Sequence, residues 1–159
     1  MTDNISDTIV VGVDGTPKSE AALNWAITEA QRSGRSLLLA HVWHWSTDTM
    51  SSPMSMSHEF NARKDGASML RRDAARVRRE GVAVSTRLLE GSAPEKLVET
   101  ADGAAMLVLG PRPRRGLTRA LFGSVSREAV LRANCPVVLI PAAVASDGAS
   151  KAQARADTR

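Results

Sequence analysis

Ala105-Met-Leu-Val-Leu-Gly110 is a short apolar run that ends in a glycine, and it opens the most informative part of this chain. Residues 111–122 follow as a turn-rich segment with four arginines. Gly123-Ser-Val-Ser126 begins an apolar-periodic segment, and Pro136-Val-Val-Leu-Ile140 is a second apolar run. This order predicts a strand, a glycine and arginine loop, a helix and a strand. Because a helix N-terminus presents unpaired N–H groups and the positive end of its dipole, the pattern predicts a phosphate cradle.

The residue types at the cradle suit an anion. Gly110 and Gly123 permit close backbone approach, and the hydroxyls of Ser124 and Ser126 are hydrogen-bond donors. Arg112 is one of the arginines that place positive charge inside the same segment. The two serines have a simpler interpretation as helix caps, and the sequence leaves both interpretations open.

The remainder of the chain alternates between apolar runs and helical periodicity. Strands are predicted at residues 8–13, 36–43, 82–89, 105–110 and 136–140. Helices are predicted from 17 to 33, about 59 to 80, 92 to 101 and 124 to 133. Such alternation predicts a parallel α/β sheet with right-handed crossovers. Ligands bind at the carboxyl ends of the strands in these sheets, where Asp14, Gly110 and Gly123 are expected to converge.

Cap signals mark the predicted helix ends. Thr16 followed by Pro17 predicts an N-cap and a first helical turn. Ser92 with Glu95 three residues later predicts a capping box. Gly34 follows the first helix at the position where a left-handed residue ends a helix.

Three segments lack periodicity. Residues 1–7 are expected to be a flexible leader, and residues 142–159 a disordered tail. Residues 44–58, which are rich in Met, Ser and Thr, are expected to form a long mobile loop. The domain itself is expected to span residues 8–141.

Composition indicates one globular domain of 159 residues, 43% hydrophobic and 24% charged. The apolar runs fall far short of the roughly 20 residues of a membrane span, and the acidic start does not resemble a secretory signal. The single Cys135 excludes an internal disulfide and suits a small buried side chain. These features predict a cytoplasmic protein.

The net charge of +4 raises nucleic acid as a partner. Arginines 71, 72, 76, 78 and 79 are, however, mixed with Asp73 and Glu80 on a helical pattern, which favours a solvated helix face. Nucleic acid is therefore not expected as a partner. The three histidines lack the spacing of metal ligands, so no metal site is expected. Since no nucleophile–base or acid–base arrangement can be argued, no dedicated catalytic turnover is expected either.

Several separated motifs resemble those of the universal stress protein family. They are Val10-Val-Gly-Val-Asp-Gly-Thr16, Gly91-Ser-Ala-Pro94, Gly110 with Gly123-Ser124, and Cys135-Pro-Val-Val138, in the family's order. The resemblance covers about residues 8–141. It implies a five-stranded parallel sheet in the order 3-2-1-4-5 with helices on both faces, a Rossmann-like fold of the adenine-nucleotide alpha-hydrolase type. It further implies a homodimer paired through residues 136–140, at a sheet edge where a β-branched strand suits pairing.

The resemblance also implies an ATP site, with or without magnesium. In it Asp14 would face the adenosine, and the backbone of Val42 would contact the base. A turn aspartate alternatively bonds its own backbone. The implied binding residues are Asp14, Val42, Gly110, Arg112, Gly123, Ser124, Val125 and Ser126.

Pro113 departs from the family pattern, which has a glycine at this position. Proline offers no N–H to a phosphate, whereas the neighbouring arginines add positive charge. Two functions therefore stand. One is a regulatory stress-response dimer that binds ATP and hydrolyses it slowly at most. The alternative is a stress protein that binds no nucleotide and acts through protein contacts.

Overall fold

The computed structural model of the chain describes residues 4–44, 53–110 and 123–141, with all their side chains except those of residues 53–59. In these parts a 3₁₀ turn at Ile5–Asp7 precedes five strands and four helices. The strands are β1 (Thr8–Gly12), β2 (Ser36–Trp43), β3 (Val84–Glu90), β4 (Met106–Leu109) and β5 (Val137–Leu139). The helices are α1 (Pro17–Ser33), α2 (Pro53–Arg79), α3 (Ala93–Thr100) and α4 (Ser124–Arg132).

The strands form one parallel sheet in the order β3-β2-β1-β4-β5, so the predicted fold is confirmed. β1 is the central strand, and Val10 is opposite Leu38 on one side and Leu107 on the other. β2 and β3 lie on one side of β1 in the sheet, and β4 and β5 lie on the other side. The direction in which successive strands are added therefore reverses between β1 and β4. Such a switch point opens a crevice at the carboxyl ends of the strands.

Helices cover both faces of the sheet, and successive residues of each strand serve opposite faces. Ile9 and Val11 of β1 face the layer formed by α1 and α2, where Leu23 and Leu70 are buried. Val10 faces the layer formed by α3 and α4. The two cores explain why β1 is apolar at nearly every position, as expected of a strand buried on both faces.

The ends of α1 form as predicted. Thr16 is the N-cap, and its hydroxyl accepts a hydrogen bond from the backbone N–H of Ser19 at 3.3 Å. Gly34 ends the helix in the left-handed conformation with φ of 70°. The predicted capping box of α3 is wrong: Ser92 is the N-cap, but its side chain makes no capping bond. Ser92 is exposed, so water can satisfy the first N–H groups of this helix.

Two predicted boundaries are corrected. α2 begins at Pro53, so the expected loop over 44–58 is wrong for residues 53–58, while residues 45–52 lie outside the described parts. The leader is also shorter than predicted, because Ile5 sits in the 3₁₀ turn and packs against the second core. Residues 60–65 of α2 are all exposed. The predicted helix begins only at about residue 59, since residues 44–58 show no helical periodicity in the sequence. The predicted tail, 142–159, is likewise beyond the described residues.

None of the helices in the described parts of the chain is long and apolar enough to cross a membrane.

Candidate functional site

A cleft of about 400 Å³ lies where the carboxyl ends of β1, β2 and β4 meet the first turns of α1, α3 and α4. This is the switch point between β1 and β4, at the edge of the sheet where ligands bind in doubly wound folds. The described residues that line it are Gly12, Val13, Asp14, Ser19, Ala40, Val42, Ala93, Leu97, Leu109, Gly110, Gly123, Ser124, Val125 and Ser126.

Seven of the eight predicted site residues line this one cleft, although they come from four separate parts of the sequence. Arg112, the eighth, lies outside the described residues, as does Pro113. The contacts of these residues with a ligand stay a prediction. Those that the cleft brings together are Asp14, Val42, Gly110, Gly123, Ser124, Val125 and Ser126.

The sequence interpretation missed the apolar and small residues of the cleft. Four of them lie within two residues of a predicted site residue along the chain, as Gly12 and Val13 precede Asp14 and Leu109 precedes Gly110. Adjacency to a strand end was the available signal. Leu97 carried no such signal, because its helical spacing indicated only a buried position. The missed lining residues are Gly12, Val13, Ser19, Ala40, Ala93, Leu97 and Leu109.

We refer to the turn from β1 into α1 as the β1–α1 corner, formed by Asp14, Thr16 and Ser19. Asp14 Oδ1 accepts hydrogen bonds from the backbone N–H and the hydroxyl of Thr16, at 3.0 and 2.6 Å. The Ser19 hydroxyl accepts from Asp14 N and donates to the Thr16 carbonyl, each at 3.2 Å. These polar groups therefore bond within the turn itself. The bonds to Thr16 are those of a turn aspartate, while a contact between Asp14 and a ligand stays a prediction.

Gly110 is required by packing at this corner. Its φ is not positive, so its backbone conformation is open to other residues. A Cβ atom at this position would, however, lie 2.9 Å from Ser19 N and closer still to the Lys18 carbonyl. Those atoms belong to the backbone of α1 and cannot turn aside as a side chain can. Gly110 therefore lets the end of β4 rest directly against the first turn of α1.

A Cβ atom at Gly12 would contact side chains, whereas a Cβ atom at Gly110 would contact backbone atoms. A Cβ atom at Gly12 would lie 2.6 Å from Leu109 Cδ2 and 3.3 Å from Leu97 Cδ1. All three residues line the cleft. The missing side chain at Gly12 thus leaves room between two leucines that form part of the apolar wall.

We refer to the start of α4 as the α4 corner, formed by Gly123, Ser124, Val125 and Ser126. Gly123 is the N-cap and supplies no side-chain cap, so the first N–H groups of the helix have no acceptor within it. Ser126 is 3% exposed, and its hydroxyl forms no hydrogen bond among the described residues. A hydroxyl in the lining of the cleft and uncapped N–H groups at a helix N-terminus suit an anionic ligand.

The rest of the cleft is mostly apolar. Val13, Ala40, Val42, Leu97 and Leu109 provide aliphatic surface from three strands and one helix. Pockets for small molecules combine such a wall with a few fixed polar groups. An apolar wall and an anion-accepting helix start would accommodate a flat ring joined to a phosphate.

The sheet order and the cleft at its switch point place the protein among Rossmann-like α/β proteins, a fold whose ligand sites lie at the carboxyl edge of the sheet. Its sequence matches the profile of the universal stress protein family over residues 6–141. The chain belongs to the universal stress protein family.

Relatives with known sequences agree. A universal stress protein of Mycobacterium tuberculosis is 33% identical over 139 residues, which cover 83% of this chain and 47% of the relative. This chain thus spans about half the length of the mycobacterial proteins it matches.

Solved structures agree as well. The universal stress protein from Archaeoglobus fulgidus in complex with dAMP is 28% identical, with a TM-score of 0.62, covering 86% of this chain and 98% of that one. A universal stress protein in complex with cAMP is 26% identical, with a TM-score of 0.61, covering 84% of this chain and 95% of that one.

Proposed function

We propose that this protein binds an adenine nucleotide, ATP, as a regulatory ligand in the stress response. The observation that carries the proposal is the α4 corner, where Ser126 lines the cleft, its hydroxyl has no hydrogen-bond partner among the described residues, and the adjoining helix start is uncapped. A nucleotide phosphate would satisfy both sets of donors. The dAMP and cAMP bound by two similar family members support the choice of an adenine nucleotide.

The dimensions of the cleft fit such a ligand. A volume of about 400 Å³ is within the range of small-molecule sites, about 300–1,000 Å³. The adenine would lie against the aliphatic wall, with the backbone of Val42 beside it, and the phosphates at Gly123, Ser124 and Ser126. Among the described lining residues Asp14 is the one carboxylate. Magnesium would therefore be carried mainly by the phosphates, as is usual for nucleotide complexes.

The ligand would act by binding rather than by turnover. The lining residues that the structure describes include no His, Lys, Glu or Cys to serve as a general acid or base, and the Asp14 carboxylate accepts hydrogen bonds from Thr16. ATP would at most be hydrolysed slowly. The nucleotide-bound and nucleotide-free forms of the protein would then have different regulatory effects.

The proposal includes a cytoplasmic homodimer paired through residues 136–140. β5 is an edge strand, and Val137, Val138 and Leu139 are half-buried where no further strand of the described sheet covers them. Val130 and Leu131 on neighbouring α4 are 57% and 67% exposed. A partner strand would bond the open edge of β5 and cover this apolar surface.

A second candidate function is a stress protein that binds no nucleotide and acts through protein contacts. Two observations favour it. The Asp14 carboxylate is engaged by Thr16, and Pro113 removes an N–H at a position where the family pattern has glycine.

Calorimetric titration of ATP with magnesium tests the proposal. Three proteins are compared: the unchanged chain, Pro113→Gly, and Pro111→Gly as a control in the same segment. We expect a Kd of about 1–100 μM for the unchanged chain. Pro113→Gly should bind up to about tenfold more tightly, since one hydrogen bond to a charged group is regained. Pro111→Gly should leave the affinity unchanged. No heat of binding with any of the three would overturn nucleotide binding and favour the second candidate.

A further inference from the structure

The positive charge of this protein is concentrated in α2. Residues 63–80 contain seven basic and three acidic residues, a net charge of +4, which equals the net charge of the whole chain. The other 141 residues contain fourteen basic and fourteen acidic residues and are neutral overall. The basic pI therefore originates in one helix, whose cations share no residue with the cleft.

Four of these cations form an exposed ridge along α2. At about 100° per residue, Lys64, Arg71 and Arg78 fall within about 40° of one another around the helix axis, and Arg79 adjoins them. All four are exposed, as are Ser68 and Ala75 between them. We call Lys64, Arg71, Arg78 and Arg79 the α2 ridge. It is about 22 Å long, at 1.5 Å per residue.

The acidic residues of the helix are not part of the ridge. Asp73 is about 180° from Lys64, and its side chain is only 13% exposed. It pairs with Arg72 at 3.1 Å, while Glu20 of α1 pairs with Arg76 at 3.5 Å. The sequence pattern predicts a face of mixed sign. In the structure Asp73 and Glu20 pair with the flanking Arg72 and Arg76 instead, while Asp65 is exposed about 100° around the helix axis from Lys64.

The arginines of the α2 ridge contact neutral acceptors and not carboxylates within the described parts of the chain. Arg71 donates to the Ser68 hydroxyl at 2.9 Å, and Arg78 and Arg79 donate to backbone carbonyls at 3.5 and 3.4 Å. Among the described residues, no ion pair involves any member of the ridge. Cations elsewhere contrast with them, because Arg32, Lys96 and Arg132 pair with glutamates at 2.7, 2.9 and 2.7 Å.

The shape and chemistry of the ridge decide which anionic partner it fits. Leu70, Ala74 and Val77 of α2 are at most 3% exposed, so from residue 61 to residue 79 the helix presents no apolar face to insert into a bilayer. Its outward half is a convex, guanidinium-rich ridge. One guanidinium group can donate two parallel hydrogen bonds to the oxygens of a phosphate. A helix about 10–12 Å in diameter fits the major groove of DNA, about 12 Å wide, with phosphates on both flanks.

We propose that the α2 ridge binds the phosphate backbone of double-stranded DNA without regard to sequence. Phe60, 68% exposed, lies on the same side of the helix as Arg78 and extends this surface by one turn. The site is distinct from the proposed nucleotide cleft, and the proposal stands whether or not the cleft binds ATP.

The test is fluorescence anisotropy of a labelled duplex of mixed sequence, about 20 base pairs long, at salt concentrations between about 50 and 200 mM. The unchanged chain is compared with the triple variant Lys64→Gln, Arg71→Gln, Arg78→Gln. The control is the triple variant Arg32→Gln, Lys96→Gln, Arg132→Gln, which removes the same charge from paired cations. Thermal unfolding by circular dichroism verifies that both variants fold.

We expect binding by the unchanged chain, with log K falling against log salt with a slope of about −3, as for three to four phosphate contacts. The ridge variant should bind at least tenfold more weakly and with a shallower slope, whereas the control should bind within about threefold of the unchanged chain. Equal losses in both variants would overturn the proposal, because net charge alone would then explain binding. So would tighter binding to duplex RNA, whose major groove does not admit a helix. Ridge-dependent binding to phosphatidylserine vesicles without binding to DNA would overturn it in favour of a membrane surface.

Discussion

The two corners of the cleft differ in how their polar groups are used. At the β1–α1 corner, Asp14, Thr16 and Ser19 bond one another, and Gly110 presses against the backbone of α1. At the α4 corner, Gly123 supplies no cap, and the Ser126 hydroxyl, in the lining of the cleft, has no partner among the described residues. Both corners consist of the glycines and hydroxyls that sequence patterns associate with phosphate. The first corner, however, uses them to hold the fold, while the second leaves them available to a ligand.

This difference teaches that a binding motif contains residues of two kinds. Those with partners inside the protein should affect stability when changed, and those without should affect affinity. Substitutions at the two corners can therefore separate the two kinds.

The largest loss of stability is expected from Gly110→Ala. The new methyl group would meet the backbone of Lys18 and Ser19, which can yield only if α1 or β4 shifts. Overpacking of this kind costs about 1–3 kcal/mol in the free energy of unfolding. Urea denaturation monitored by circular dichroism measures it.

Gly12→Ala is the matched control, because its methyl group meets the ends of the Leu109 and Leu97 side chains, which can rotate. It should cost at least about 1 kcal/mol less than Gly110→Ala, the low end of the overpacking cost. Equal losses at the two positions would show that Gly110 is not held by backbone contact.

At the α4 corner, Ser126→Ala should weaken ATP binding about tenfold, since a hydrogen bond to a charged phosphate is lost. The free energy of unfolding should change by less than about 0.5 kcal/mol, because the hydroxyl has no partner among the described residues that would be lost. Calorimetry and urea denaturation on the same samples measure both quantities. Ser124→Ala, at an exposed position, is the control and should have a smaller effect on affinity. A large loss of stability without loss of affinity would mean that Ser126 is a structural residue.

Thr16→Ala should lower the free energy of unfolding by about 1 kcal/mol, the usual value of an N-cap bond. Ser92→Ala is its control at the N-cap of α3, whose side chain makes no capping bond, and should have almost no effect. Thermal unfolding of the two variants side by side tests the difference. If both lost the same stability, the Thr16 hydroxyl would not be a specific cap.

The smallest effect on stability is expected at Cys135, which is not among the residues that line the cleft. Burial raises the pKa of this thiol above its ordinary value. Because the pKa of the Cys135 thiol is higher in the folded than in the unfolded chain, its contribution to the free energy of unfolding is fully present below the unfolded pKa, about 8.5. This contribution is lost as the pH rises through the folded pKa. Alkylation by iodoacetamide, followed by mass spectrometry, should therefore be slower in the folded chain than in urea near pH 8.5. Equal rates in both states would contradict the burial of the thiol.

The fold was predictable because its determinants are periodic. Continuous apolar runs such as 8–13 occur only where both faces of a strand are buried, and Leu23 with Ile27 marks the buried side of α1. The start of α2 at Pro53 was missed, since residues 44–58 show no helical periodicity in the sequence.

The cleft was predictable as a location but not in the use of each residue. Parallel topology places Asp14, Gly110 and Ser126 at one edge of the sheet, which spacing alone indicates. Whether a hydroxyl has a partner depends on distances of a few tenths of an ångström. No pattern of residue types contains that information, so the bonds of Asp14 and the capping failure of Ser92 required the structure.

The most direct measurement is the ¹H–¹⁵N correlation spectrum of the labelled chain during titration with ATP and magnesium. We predict that the largest amide shifts occur at residues 124–126, in the first turn of α4, with only small shifts at residues 14–19. Shifts concentrated at residues 14–19, with the amides of α4 unchanged, would contradict the assignment of the anion to the α4 corner.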